Sequence, residues 1–213
     1  MTVRARRRTT TGPLALLALA VFTVPAASVD ALAQVIDETR ALKVKAAYLY
    51  NFAKFVTWPK GAFDSDKAPL VIGVLGRDPF GRILDDTVQS KTVRGRRIEV
   101  RRLKWNREED RKALPRCHVL FVCTSERGRL DDVLVWLNRA PVLVVGDDSR
   151  FAARGGMIGL VLDRGRIVFE INREAVERAD LKASAKLLKL ARTTRPKAGR
   201  ESADSRKTRR YRP

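Results

Sequence analysis

The sequence predicts a three-layer α/β/α fold with a mostly parallel sheet and an antiparallel hairpin at one edge. Three observations carry this expectation. Short uninterrupted apolar runs recur at residues 70–75, 118–123 and 141–145, which is how strands covered on both faces read. Helical patterns separate these runs, and alternation of strand and helix marks parallel strands joined by crossovers. Later, residues 157–162 and 166–171 flank Asp163-Arg164-Gly165, a short glycine-containing turn that folds two strands back on each other.

The elements follow in order. Arg4, Arg6, Arg7 and Arg8 precede an uncharged apolar run at 14–24, then Pro25 and small residues up to Ala31-Leu32-Ala33. This is the order of a secretory signal peptide, with cleavage expected after Ala33, where the A-x-A pattern is met, and Ala27 as the alternative. The run is shorter than the ~20 residues that span a membrane. Residues 35–58 read as one long helix, with apolar residues at 42, 46, 49, 53 and 56 on one face. Pro59 stops it. The strand at 70–75 leads to Gly76, and Asp78 is placed to cap a helix from Pro79 to about Ser90. Residues 96–103 alternate basic and apolar, a strand with one wet face. A short helix is expected near 107–114. After the strand at 118–123, Ser125 is expected to cap a helix through Leu130, Val133, Leu134 and Leu137. The strand at 141–145 ends at Gly146-Asp147, and a last helix covers 183–191.

The chain has 213 residues and a formal net charge of +20. Residues 192–213 hold nine basic and two acidic residues and few apolar ones, so they read as a disordered tail. Residues 34–191, the expected single domain, keep 31 basic and 21 acidic residues. Export turns the reading of this charge away from nucleic acid; the tail reads either as a solvated segment with no partner or as one in weak contact with anionic envelope surfaces.

The chemistry is sparse. One histidine and two cysteines exclude a His-cluster metal site and a disulfide scaffold, so no metal or cofactor is expected. Gly76-Arg-Asp-Pro-Phe-Gly81 fits neither phosphate-binding glycine motif. No nucleophile–base motif surrounds His118 or Ser125, so no catalytic residue is assigned. If 118–123 is extended, Cys117 and Cys123 lie ~20 Å apart, too far to bridge; no disulfide is expected, and Cys117, at the strand's start, is the more accessible thiol. On the helical wheel Lys45 falls inside the apolar arc, where it either snorkels to the surface or pairs with an acid. Tyr48, Phe52, Phe55 and Trp58 surround it: core aromatics, or a surface for a partner protein. Tyr50 falls on the polar side and is expected to be exposed. Lys45, Tyr48, Tyr50, Phe55 and Trp58 are thus the candidate partner-binding residues. A second candidate site is the carboxyl edge of the strands, at Gly76, Asp78, Ser125 and Asp147, where a small ligand would sit in an open α/β sheet.

The segment from Lys45 to Pro59, KAAYLYNFAKFVTWP, resembles the opening motif of the YfiR family of exported proteins. Residues 70–81, Cys117-His118-Val-Leu-Phe, the stretch from Phe151 through Gly155-Gly156-Met157 to Phe169-Glu170-Ile171-Asn172, and residues 187–191 resemble that family's later blocks in the same order. The resemblance implies a non-catalytic periplasmic regulator, often dimeric. It would bind and restrain the periplasmic part of an inner-membrane signalling protein, a diguanylate cyclase. Relatives often carry further cysteines where this chain has Gly73, Ala152-Ala153 and Gly159. A periplasmic small-ligand-binding module is the alternative reading.

Overall fold

The computed structural model describes the backbone of residues 27–192 and side chains from Asp37 onward. Most of the expected signal peptide (1–33) and all of the expected tail (192–213) except Arg192 lie outside the described residues. The chain divides into two compact units, Met1–Ile36 and Asp37–Pro213. Of the first, only helical backbone from Ala27 is described. The second holds the sheets, the rest of the first helix and every other helix among the described residues.

Helix α1 (Ala27–Phe55) buries Ala46, Leu49, Phe52 and Ala53, the stripe expected from the apolar spacing. It stops at Phe55 rather than Trp58. The reason is non-local: Val56 and Thr57 form strand β1, which pairs antiparallel with β9 (Lys182–Ala183) near the other end of the domain. Between them run β2 (Leu70–Leu75), α2 (Arg82–Val88), β3 (Thr92–Val93), β4 (Arg96–Leu103), α3 (Glu108–Ala113) and β5 (Val119–Val122). Then come α4 (Leu130–Leu137), β6 (Leu143–Gly146), β7 (Ile158–Asp163), β8 (Arg166–Ile171) and α5 (Arg173–Arg178), and α6 (Ala185–Leu190) follows β9.

The main sheet has seven strands in the order β3-β4-β2-β5-β6-β7-β8. From β4 to β7 the pairings are parallel, and both outer pairings are antiparallel. β2, β5 and β6 are buried throughout, as uninterrupted apolar runs require. The register places Val74, Phe121 and Val145 on one face, and Gly73, Leu120 and Val144 on the other. α1 covers the first face, where Phe52 meets Phe169 of β8 at 5.1 Å; Phe80, just before α2, meets Phe121 at 5.0 Å. α4 and α5 cover the second face around Val144. The three-layer α/β/α expectation therefore holds, with one antiparallel edge more than expected.

Both hairpins turn on the same dipeptide. Arg94-Gly95 joins β3 to β4 and Arg164-Gly165 joins β7 to β8, all four residues with positive φ. Two left-handed residues make the tight turn whose twist matches that of paired strands.

Two expected helix caps are not caps. The Asp78 carboxylate accepts a hydrogen bond from the Phe80 amide at 2.7 Å and one from Arg102 Nε at 2.9 Å. The chain turns there, and α2 begins only at Arg82. Ser125 lies in a 3-10 segment, Thr124–Arg129, and its hydroxyl accepts from the Arg77 amide at 2.9 Å; α4 starts at Leu130. Helix α5, not anticipated, is capped by Asn172, whose side chain accepts from the Ala175 amide at 3.1 Å. Ser184 caps α6 in the same way. Arg192, read as the first tail residue, donates its amide to the Phe169 carbonyl at 2.8 Å.

Candidate functional site

The chain steps from β2 to β4 on one side and to β5 on the other, so the order reverses at the carboxyl ends of β2 and β5. Ligand crevices of open α/β sheets sit at such points. Here the crevice is filled by the chain itself. A Cβ at Gly76 (φ +105) would lie 2.5 Å from Ser125 Oγ, so only glycine allows the Thr124–Arg129 segment to pack this close. Gly76 and Ser125 are thus brought together, but the polar groups of this edge are taken up by neighbours: Ser125 by the Arg77 amide, Asp78 by the Phe80 amide and Arg102, and the Gly76 amide by the Leu103 carbonyl. Arg102 also grips Asp85.

Asp147, the fourth member of that edge, meets a residue from the other candidate set. Lys45 Nζ lies 2.9 Å from Asp147 Oδ2, and Thr124 donates to Oδ1 at 2.9 Å. The side chains keep 21% and 12% of their exposure. Of the two alternatives for a lysine in an apolar arc, the structure takes the acid pair. It ties α1 to the loops after β5 and β6.

The aromatic residues of the first set divide. Tyr48 stacks on Phe52 at 5.6 Å and donates its hydroxyl to the Ile167 carbonyl at 3.0 Å. Trp58 is 8% exposed and donates Nε1 to the His118 carbonyl at 3.2 Å. Phe55 is half-buried, with Lys54 and Lys186 over its ring at 5.9 and 5.4 Å. Tyr50, expected to be exposed, is also half-buried: it packs on the core and carries Lys91 over its ring at 4.8 Å. The wheel places residues on a single helix, and Lys91 arrives from a distant turn.

His118 is buried and fully bonded. Nδ1 accepts from the Val71 amide at 3.0 Å, which leaves the ring proton on Nε2, 3.0 Å from the Ala62 carbonyl. Phe63 stacks on the ring at 4.1 Å. Burial holds the imidazole below the usual histidine range, against the pull of the Ala62 bond, with Arg96, Arg101 and Asp64 nearby. Protonating Nδ1 would destroy the Val71 bond. Because the folded value lies below the unfolded one, the unfolded chain takes the proton first. Stability is therefore full above about pH 6.5, and is lost as pH falls from there toward the folded value. The chain has one histidine, so no other side chain ordinarily titrates in that window. Urea midpoints are expected to fall between about pH 7.5 and 5.5 in the parent, and a folded His118→Gln variant should lose most of that slope. An unchanged slope in the variant would assign it to another group.

Cys117 and Cys123 are free and buried at opposite ends of β5. Cys117, expected to be the accessible thiol, is closed off by Gly73, where a Cβ would lie 2.7 Å from its sulfur. Burial pushes both thiols up to about 12, so neither is a reactive thiolate at neutral pH.

Sequence reasoning passed over one aromatic group. Trp105 and Trp136 meet edge-on at 6.3 Å, and Arg111 lies over both rings at 5.8 and 5.6 Å. Trp136 is 42% exposed and its neighbour Val135 is 79% exposed. The signal was available: the inward stripe of α4 at 130, 133, 134 and 137 turns residues 135 and 136 outward.

Among the described residues there is no group of three or more His, Cys, Asp or Glu side chains fit to hold a metal ion. No helix there is long and apolar enough to cross a membrane.

No curated protein matches the chain at a significant level. Among solved structures it is similar to a conserved domain protein from Vibrio cholerae O1 biovar El Tor. That match has 14% identity and a TM-score of 0.47, over 59% of this chain and 54% of that one. It is also similar to an ABC domain from Streptococcus pneumoniae, a structure described as a complex with L-Trp. There the identity is 10% and the TM-score 0.42, over 58% of this chain and 54% of that one. The chain spans about half the length of each, and likeness at this level carries no functional argument. The family comparison is of a different kind, since one match runs from the middle of α1 to the end of the described chain. With residues 42–192 matched, the chain belongs to the YfiR/HmsC-like family.

Proposed function

We propose that this protein is a non-catalytic periplasmic regulator that binds and restrains the periplasmic part of an inner-membrane diguanylate cyclase. Family membership across residues 42–192 is the observation that carries the reading. One structural fact and one sequence pattern support it. The polar groups at the switch point are taken up by neighbouring groups of the chain, which suits a scaffold better than a reaction centre. The basic cluster and apolar run before Ala33 suit export, and the mature chain is expected to work as a dimer.

The partner surface is proposed to include the half-buried aromatics Tyr50 and Phe55 rather than Tyr48 and Trp58, whose rings serve the core. Lysines flank both rings, so the partner face should be acidic.

Fractionation should place the mature chain in the periplasm, and crosslinking there should recover a membrane cyclase. Phe55→Ala and Tyr50→Ala proteins should keep most of their stability and lose roughly tenfold or more in partner affinity. A stable pair of variants with parental affinity would remove this face from the interface. Retention of the full-length chain in the cytoplasm would overturn the whole reading.

A further inference from the structure

We propose that the cavity between α4, β6 and α5 is a binding site for a small amphiphilic monoanion, a carboxylate on a short aliphatic or single-ring body. The proposal does not depend on the partner reading, because the site lies on the other face of the sheet from α1.

The cavity holds about 190 Å³. Its walls are apolar, with Leu134 and Leu137 from α4, Val144 from β6 and Met157 from the start of the hairpin. A cavity of about 150 Å³ lined by aliphatic and aromatic groups takes benzene. This one therefore has room for a ring or a branched chain of similar size, and too little for a nucleotide.

The rim supplies the sign of the ligand. Arg139 and Arg178 line the cavity, and no acidic residue does. Arg139 is exposed and forms no ion pair among the described residues. Arg178 reaches only its own helix neighbour Glu174, loosely, at 3.8 Å. Asn138 and Arg139 both have positive φ, at 41° and 65°. Asparagine tolerates that conformation, and arginine seldom adopts it. Arg139 therefore leaves the chain from a left-handed turn beside the cavity it lines. A half-open apolar cavity whose lining also includes two arginines complements a carboxylate with a hydrophobic body. The same walls disfavour an ion without an apolar body, because such a ligand buries little of the lining.

The test uses the mature chain with phenylacetate and hexanoate as probes, and phenylacetamide and succinate as controls. Calorimetry measures affinity, and backbone amide shifts locate the site. Ligands of about ten non-hydrogen atoms bind in the high-micromolar to millimolar range. Saturable binding of both monoanions is expected, with shifts centred on Leu134, Gly155 and Met157. Phenylacetamide and succinate should bind at least about tenfold more weakly. An Arg139→Glu/Arg178→Glu variant changes two exposed side chains, so it should melt like the parent and lose at least about tenfold in affinity. Ala140→Leu, at a half-buried lining position, should abolish binding by filling the chamber. If that variant fails to fold, the arginine pair decides the matter. Absence of saturation up to about 10 mM in the parent would overturn the proposal. So would equal affinity for phenylacetate and phenylacetamide, or shifts centred elsewhere, as on the separate groove that Arg101, Pro115 and His118 line on the protein. None of these outcomes touches the partner reading, because no membrane protein takes part.

Discussion

Trp58→Ala is expected to destabilise the domain by about 3–5 kcal/mol, the range for removing a large aromatic side chain from a packed core. Trp58 follows directly on β1, against His118 and Phe63 at 6.0 and 6.4 Å. The His118 carbonyl that receives its indole N–H also accepts from the Leu143 amide at 2.8 Å. Losing the indole bond therefore leaves that carbonyl paired, and the larger part of the cost is packing. Trp58→Phe keeps most of the ring and should cost about 1–2 kcal/mol, one hydrogen bond and part of the contact area. Urea denaturation of the three proteins checks the order. A Trp58→Ala protein within about 1 kcal/mol of the parent would mean that the residue is spare for the core, and would return it to the partner surface.

Trp58 and its neighbours show why some features can be read from the sequence and others cannot. The strand at 70–75 and the hairpin around Arg164-Gly165 are legible because burial on both faces and a two-residue turn leave local traces. The stripe on α1 is legible for the same reason: 3.6-residue periodicity is written within one segment. What escapes depends on partners distant in sequence. The helix stops at Phe55 because Lys182 and Ala183 take the next two residues into a ladder. Asp78 and Ser125 carry the chemistry of caps, but Arg102 and the Arg77 amide claim their oxygens first. Arg94-Gly95 has the same composition as the legible turn at Arg164-Gly165, yet β3 is only two residues long and leaves no alternation to see. The candidate residues can be picked out of the sequence one by one, but not how they pair in space. Lys45 and Asp147 stand out for different reasons, and nothing in one sequence says that a lysine on the first helix reaches an aspartate 102 residues later.

That pair carries the second large effect. Lys45→Met should cost about 2 kcal/mol, because it leaves Asp147 mostly buried with Thr124 as its remaining side-chain partner. Asp147→Asn should cost a similar amount, because it leaves the Lys45 ammonium at the edge of the apolar arc without a counter-charge. Both side chains retain some exposure, so the penalties stay below those of a fully buried pair. The Lys45→Met/Asp147→Asn double variant should be more stable than the sum of the single losses implies, with a coupling of about 1–2 kcal/mol. The coupling should persist in ~1 M salt, since partly buried pairs are screened less than exposed ones. A coupling below about 0.3 kcal/mol would mean that the pair does not hold α1 to the carboxyl edge of the sheet. Lys45 and Asp147 would then be free charges beside the switch point, available to a ligand or a partner. A coupling of the expected size makes them part of the scaffold, and leaves the recognition of a partner to groups the fold does not consume.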